Sequence, residues 1–480
     1  MKIVVKTIAG LEEVLANELK DLGAPNTEIL NRAVKIEGDK KMLYKVNYQT
    51  RTAIRVLVPI MTFNFQNEEQ FYRRIKSYDW SKHLTYKGTL AIDGFSASDR
   101  MTHSKYLALK AKDAIVDQFR DKYGDRPNVN IIFPTLKLNV HINHLHQCTV
   151  SLDSSAESLH KRKYRVVNTE APISEALAAG MILLSRWDRQ SDFIDPMCGS
   201  GTIPIEAAMI AYNIPVQKTR KMFGFFKWPD FDQNLWEEVK TEAEENQYDF
   251  QYKIYASDKD FRAIGAARHN IEEAGLTDII ELSRAKFEKN PAPADKGIVM
   301  MNPPYDERLA VKEVDKLYKF IGDVLKNHYT GYEAWIISSN MDAMKNVGLH
   351  ASKRFSLFNG PLPCKFQRYE LYEGSKKDKS HKVWQQDEIA AKPVQQKKES
   401  ESKSESDPTQ QKDVSEVKPE IKTKSAPIQQ KDVSEVKSEI ETKSDPIQQK
   451  DVSEVKSDQK KTAAQRKWNF TPKSDPPSLT

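Results

Sequence analysis

From Asp192 to Ala208 the chain reads "DFIDPMCGSGTIPIEAA". An apolar stretch ends in Asp195, a turn carrying Gly199 and Gly201 follows, and a second apolar run contains Pro204. Glycines in such a turn permit backbone conformations and close approaches that a Cβ would block. Proline is accepted only in the first turn of a helix, so a helix must begin directly after the glycines. The unit is therefore strand, tight turn, helix. It does not stand alone. Apolar strands "FIDPM", "KIYASD", "GIVMMNPP" and "EAWIISS" alternate with the helical patterns "IPIEAAMIAYN" and "AIGAARHNIEEAG". That alternation predicts an α/β domain with a Rossmann-like, doubly wound parallel sheet over residues 156–374, its ligands at the strand carboxyl ends.

The residues before this domain are patterned differently. Residues 1–60 read strand, helix, strand, helix, strand, with Leu11, Val14, Leu15 and Leu19 at helical spacing and Gly23 closing the first helix. Residues 61–155 form a second α+β stretch, with "KYLALKAKDAIVDQFRDKYG" as its helix and "INHLHQCTVSLD" as a closing strand. From 375 to 480 aromatics nearly vanish, and "QQKDVSEVK" recurs from Gln410, Gln429 and Gln448. Its few apolar residues cannot bury enough surface to offset the entropy of ordering, so this segment is expected to be a disordered charged tail. Its final "RKWNFTPK" reads as a stray Trp and Phe in that tail.

Composition excludes some classes. No apolar run approaches the roughly 18 residues of a membrane span. The first twenty residues are interrupted by Lys6, Glu12 and Glu13, unlike a signal peptide, so a cytoplasmic protein is expected. Cys148, Cys198 and Cys364 are isolated, which gives neither a CxxC metal site nor a disulfide framework; no metal is expected. A net charge of +6 mildly favours a polyanionic partner.

Three places carry chemistry. A dinucleotide fingerprint would need a third glycine where Pro204 stands. Asp195, Gly199 and Gly201 instead give D-x-x-x-G-x-G, which resembles the first motif of class I S-adenosylmethionine methyltransferases and brings Pro196 and Thr202 into the same turn. The next strand ends "IYASDKD", where Asp258, with Asp260 as the alternative, is placed to accept hydrogen bonds from two ribose hydroxyls. "IVMMNPPY" ends a third strand in Asn302, Pro303, Pro304 and Tyr305. The prolines lock that corner and keep Asn302 out of the helical region. An exocyclic base amine has its lone pair delocalised into the ring. Two fixed acceptors, the Asn302 side-chain oxygen and the Pro303 carbonyl, can hold its hydrogens so that the lone pair faces a methyl sulfonium. Tyr305 can stack on a base that has left its helix.

Taken together with "FGFFKWPDFD", "SDKDFRAIGAARHN" and "LFNGPLPCKFQRYELY", with its Asn359–Gly360 hairpin, these motifs make residues 1–374 similar to the THUMP-domain RNA methyltransferases, specifically the bacterial guanine-N2 branch acting on 23S rRNA. The resemblance implies an N-terminal ferredoxin-like domain, a THUMP domain for RNA, a catalytic domain using S-adenosylmethionine, and guanine N2 as the methylated atom. Transfer RNA is the alternative substrate. A non-catalytic RNA-binding or assembly factor and a DNA amino-methyltransferase are weaker alternatives. A known relative is fused to a second methyltransferase, whereas the tail occupies that place here, so no second activity is expected.

The family's junction segment corresponds to "LHKRKYRVVNTEAP", where Lys163 replaces a usual glycine. Lys161, Arg162, Lys163 and Arg165, with Tyr164 among them, are expected to touch RNA phosphates there. A solvated basic surface is the plainer alternative. Where relatives carry an acid near the adenine, this chain has Lys286, leaving adenine contacts to the backbone near Phe287.

Overall fold

The computed structural model describes residues 1–169, 172–304 and 311–374. Tyr305 and the expected tail lie outside the described residues.

The N-terminal half is one eight-stranded sheet: β1 (Lys2–Thr7), β2 (Thr27–Leu30), β3 (Ala33–Glu37), β4 (Ala53–Asn64), β5 (Thr89–Ser96), β6 (Asn128–Val129), β7 (Leu136–Ile142) and β8 (Gln147–Asp153), in the order β2-β3-β1-β4-β8-β7-β5-β6. β4 joins its two parts. Its first residues pair with β1 and its last with β8, and the register slips between Pro59 and Met61. The expected boundary near residue 60 thus falls inside a strand. The helix Ser104–Tyr123 ends at Gly124, whose positive φ of 72° suits a residue without a Cβ.

Two details depart from expectation. "INHLHQCTVSLD" is not one strand: β7 ends at Ile142, and the chain turns through residues 143–146 before β8. Asn143 Oδ1 accepts from the backbone N–H of both Leu145 and Gln147, and a side chain that hydrogen-bonds its own backbone stabilises a turn against a strand. β2 is the other. Exposed at almost every position, it has no apolar alternation to announce it.

The catalytic sheet comprises β9 (Asp192–Asp195), β10 (Ile254–Asp258), β11 (Ile280–Arg284), β12 (Gly297–Met301), β13 (Glu333–Ser338), β14 (Ala351–Asn359) and β15 (Leu362–Glu370). Their order is β11-β10-β9-β12-β13-β15-β14. Pairs are parallel from β11 to β13, and β15 is antiparallel to both neighbours. In the closing hairpin Asn359 pairs with Leu362, so Gly360 and Pro361 are the turn residues. Gly360 takes φ +62°, as a glycine-first hairpin turn requires. The order of strands reverses between β9 and β12, which makes their carboxyl ends the expected ligand crevice.

The two halves are stapled in both directions. Leu11 and Val14 pack into the catalytic core, and Gly180 on the helix Glu175–Ser185 lacks a Cβ where one would collide with Leu11. In return, "FGFFKWPDFD" and the helix Gln233–Glu245 after it leave the catalytic domain and bury Phe223, Phe225 and Trp236 in the N-terminal core. Phe225 stacks on Tyr44 at 4.5 Å, and Trp236 meets Tyr48 edge-on at 5.3 Å. Arg220 adds backbone carbonyl contacts at Ser155 and Glu157. Such aromatic burial holds the two halves as one body.

Candidate active site

β9 delivers Asp195 to the sheet's carboxyl end, and the chain turns at once. Gly199 has φ +53° and Gly201 φ +83°. The Gly201 N–H donates to the Cys198 carbonyl at 2.8 Å, and the helix Thr202–Ala211 starts there with every residue buried. The space a Cβ on Gly201 would take is closed by Ala267, 3.3 Å away on the helix Phe261–Ala274. Gly201 is therefore needed for helix–turn packing. Gly199 faces open space, with only Thr169 at 3.8 Å.

Asp258 ends β10 beside this turn. Its Oδ2 accepts from the Gly199 N–H at 3.1 Å and its Oδ1 from the Asp260 N–H at 2.9 Å. A carboxylate has about four acceptor sites, so two stay free for a ribose diol. Asp260 is accounted for otherwise: its Oδ1 caps the helix Phe261–Ala274 at the Arg262 N–H.

Two buried oxygens in the crevice have no partner: Asp195 Oδ2 and Asn302 Oδ1. Asp195 Oδ1 accepts from the Met197 N–H at 3.1 Å. Burial, aided by the negative Asp258, pushes the Asp195 carboxyl well above its usual range. Leaving a buried acceptor unmade costs about 1–3 kcal/mol, which a ligand entering the crevice would recover. S-adenosylmethionine fits them: its ammonium suits Asp195 and its ribose Asp258. Asn302 directly follows β12, with Pro303 buried and Pro304 exposed behind it. β12 pairs with β9, so the two unpartnered oxygens stand on neighbouring strand ends.

Pro196 is buried in the turn. The Thr202 hydroxyl is buried too, and it accepts from Arg165 Nη2 at 2.9 Å. Phe287 turns its ring into the core, 5.4 Å from Tyr329.

The junction segment corrects the sequence reading. Arg162 has 0% exposure. Its Nε donates to Glu206 Oε1 at 3.2 Å, its Nη1 to the Leu159 carbonyl at 2.7 Å, and its Nη2 to the Arg51 carbonyl. Tyr164, buried as well, donates its hydroxyl to Glu206 Oε1 at 3.0 Å. Arg165 is turned inward toward Ile173, Glu175 and Thr202. Neither arginine is available to phosphate. Lys161 and Lys163 are on the surface, both within ion-pair distance of Glu157. Sequence reasoning missed Glu206, although a lone acid in an otherwise apolar helix needs a buried cation.

It also missed Asn270. The Asn270 Oδ1 accepts from the Val166 and Val167 N–H groups, and its Nδ2 donates to the carbonyls of Val167 and Ser200. One side chain thereby ties the junction to the cofactor turn.

Comparisons with known proteins agree with this layout. Residues 2–57 match the RlmL ferredoxin-like domain, 65–153 the THUMP domain, and 162–368 the RMKL-like methyltransferase domain. The chain is 38% identical to the Synechocystis sp. protein named "Putative RNA methyltransferase slr0064", covering 76% of this chain and 95% of that one. It is 35% identical to the Syntrophotalea carbinolica "Ribosomal RNA large subunit methyltransferase K/L" over 76% of this chain. It spans only about half of that relative, 53% of its length. A solved structure described as "SMU.472, a putative methyltransferase complexed with SAH" superposes with a TM-score of 0.70 at 30% identity, covering 78% of this chain and 99% of that one. The chain belongs to the THUMP-domain family of class I S-adenosylmethionine-dependent RNA methyltransferases, in the group with an RlmL-type ferredoxin-like domain and an RMKL-like methyltransferase domain.

Proposed function

We propose that the protein methylates the exocyclic N2 amine of a guanine in 23S rRNA. The observation that carries the chemistry is the unpartnered, buried Asn302 Oδ1 at a proline-locked strand end, next to the cofactor turn. When bound, S-adenosylmethionine supplies an electrophilic methyl group on a sulfonium. Asp195 and Asp258 hold its ammonium and ribose. Asn302 Oδ1 and the Pro303 carbonyl accept the two N–H bonds of the amine, which turns its lone pair away from the ring. Positive charge growing on nitrogen then meets acceptors already in place, with no reorganisation to undergo. Tyr305 is assigned the stacking partner of the flipped base.

Support for ribosomal RNA comes from the names of the K/L relatives, and support for RNA at large from the THUMP match. The clamp itself serves adenine, cytosine and guanine amines equally, so guanine N2 rests on family membership. A cytoplasmic location follows from the proposed substrate. Mass spectrometry of nucleosides from separated 23S rRNA and tRNA of a deletion strain tests the reading. Loss of N2-methylguanosine from 23S rRNA alone is expected. Loss from tRNA alone transfers the assignment to tRNA, and no loss from either overturns it.

A further inference from the structure

With Arg162 buried and Arg165 turned inward, the RNA phosphates that must pass the catalytic domain need other cations. We propose that the carboxyl ends of β10 and β11 form an RNA-binding surface, made by Lys259, Phe261, Arg262, Arg284 and Lys286, that holds the nucleotides flanking the target base. The proposal rests on the reading of the protein as an RNA methyltransferase.

The pairing of the two strands builds the patch. Asp258 lies opposite Arg284, which brings Lys259 and Lys286, the residues just beyond, onto one rim. The Arg284 Nε donates to the Lys259 carbonyl at 3.3 Å, fixing the two strand ends together. Lys259, Arg262, Arg284 and Lys286 are all exposed, and among the described residues none forms an ion pair. The acids beside them are engaged: Asp258 by Gly199 and Asp260 by its own helix. Glu288 is the remaining acid nearby, exposed on the far side of Phe287. Between Lys259 and Arg262 in the chain, Phe261 opens the helix and is 69% exposed. An exposed aromatic close in the fold to exposed guanidinium and ammonium groups can stack a base while they neutralise its phosphates.

The cofactor does not account for these charges. S-adenosylmethionine has no phosphate and carries a sulfonium, so a cationic rim next to its ribose repels it. A polyanion reverses that sign. The reach also suits RNA. At about 4.8 Å between neighbouring strands, β10 lies about 10 Å and β11 about 14 Å from β12, the strand of the amine clamp. That is a span of a few nucleotides.

The test uses the full chain carrying Arg262→Glu and Arg284→Glu together, two exposed positions outside the adenine contacts. An acid at Arg262 falls in the first helical turn, where the helix dipole favours it, so folding is retained. Binding of protein-free large-subunit rRNA is titrated over several salt concentrations, with S-adenosylmethionine binding measured by calorimetry. Expected are a roughly tenfold or greater loss of RNA affinity at low salt and a salt slope shallower by about one to two units. Cofactor affinity should be unchanged. Phe261→Ala should weaken RNA binding by about 5- to 100-fold with the slope preserved. Wild-type RNA affinity and slope in the folded double variant overturn the proposal. So does a Phe261→Ala that loses cofactor affinity and keeps RNA binding, because the ring then belongs to the adenine site. These outcomes are separable from failure of the functional reading. In that case the wild-type protein itself would show no methyl transfer to RNA.

Discussion

The Arg162 guanidinium and the Asn302 Oδ1 are both polar groups buried in the catalytic half, and they are finished in opposite ways. Arg162 has a carboxylate and two carbonyls around it. Asn302 Oδ1, like Asp195 Oδ2, has nothing. A buried polar group whose bonds are made internally specifies how elements assemble. One left open costs about 1–3 kcal/mol, which a ligand can recover where the open atom faces a crevice. Open buried atoms also occur away from the crevice, among them Trp335 Nε1 and Glu206 Oε2, so what singles out Asp195 and Asn302 is an open oxygen placed at the strand carboxyl ends.

The largest effect should come from breaking the saturated group. Arg162→Ala leaves Glu206, a fully buried carboxylate, without its cation, and should cost about 3–5 kcal/mol of stability. Thermal or urea unfolding of the full chain measures it. Pairing Arg162→Met with Glu206→Leu removes both charges and should return much of the loss, since an apolar pair of similar volume can replace a buried ion pair. A single variant as stable as wild type would remove Arg162 from the scaffold and put it back among the RNA-binding candidates.

The open groups should respond in activity and not in stability. Asn302→Ala is expected to lower the methyl-transfer rate on the order of 10²-fold or more, as for loss of one preorganised partner. Its melting temperature and cofactor affinity should hardly move. Single-turnover kinetics with saturating cofactor separate the two. A full rate in this variant removes the clamp.

Asp195 sharpens the contrast, since there function and stability pull apart. Burial raises its carboxyl in the folded protein, so the folded state binds a proton more tightly than the unfolded one. The cofactor-free protein then keeps this contribution at pH below the ordinary carboxylate value of 3.8 and loses it as pH rises through the raised folded value. Asp195→Asn should flatten that fall and stabilise the free protein at neutral pH while weakening cofactor binding. In the wild type, cofactor affinity should rise with pH, because the ammonium pairs with the ionised form. Calorimetry at several pH values would show this, and equal pH dependence in both proteins would sink the assignment.

Saturation is what a sequence cannot display, and the errors follow from that. The glycine turn, the Asp258 strand end and the proline corner were legible as local structure because a few adjacent residues dictate the backbone there. "HKRKYR" was misread because the partners of Arg162 and Tyr164 are distant. Glu206 lies 44 and 42 residues away and the Arg51 carbonyl 111. β2 and β11 were missed for a related reason. Both are edge strands, mostly exposed, and lack the alternating apolar face that reveals a half-buried strand. The exposed cations by Phe261, without an ion pair among the described residues, were not legible as one surface, being spread over two strand ends that only the sheet register brings together.

The smallest predicted effect tests the same segment at its surface. Lys163 stands where the family resemblance implies glycine, and its φ is +76°. The backbone has kept the left-handed conformation, so the lysine bears its steric cost, about 1–2 kcal/mol for a residue with a Cβ. In return it reaches Glu157, an exposed pair with each partner 40% exposed or more. Pairs of that kind contribute about 0–1 kcal/mol. Lys163→Ala loses the pair and keeps the strain, whereas Lys163→Gly loses the pair and relieves it, at some cost in unfolded-chain entropy. Gly should therefore exceed Ala in stability by roughly 0.5–1 kcal/mol, and wild type should fall between them or match Gly. Parallel urea melts of the three proteins decide it. If Ala matched or surpassed Gly, the left-handed backbone at Lys163 would not be the reason this position favours glycine.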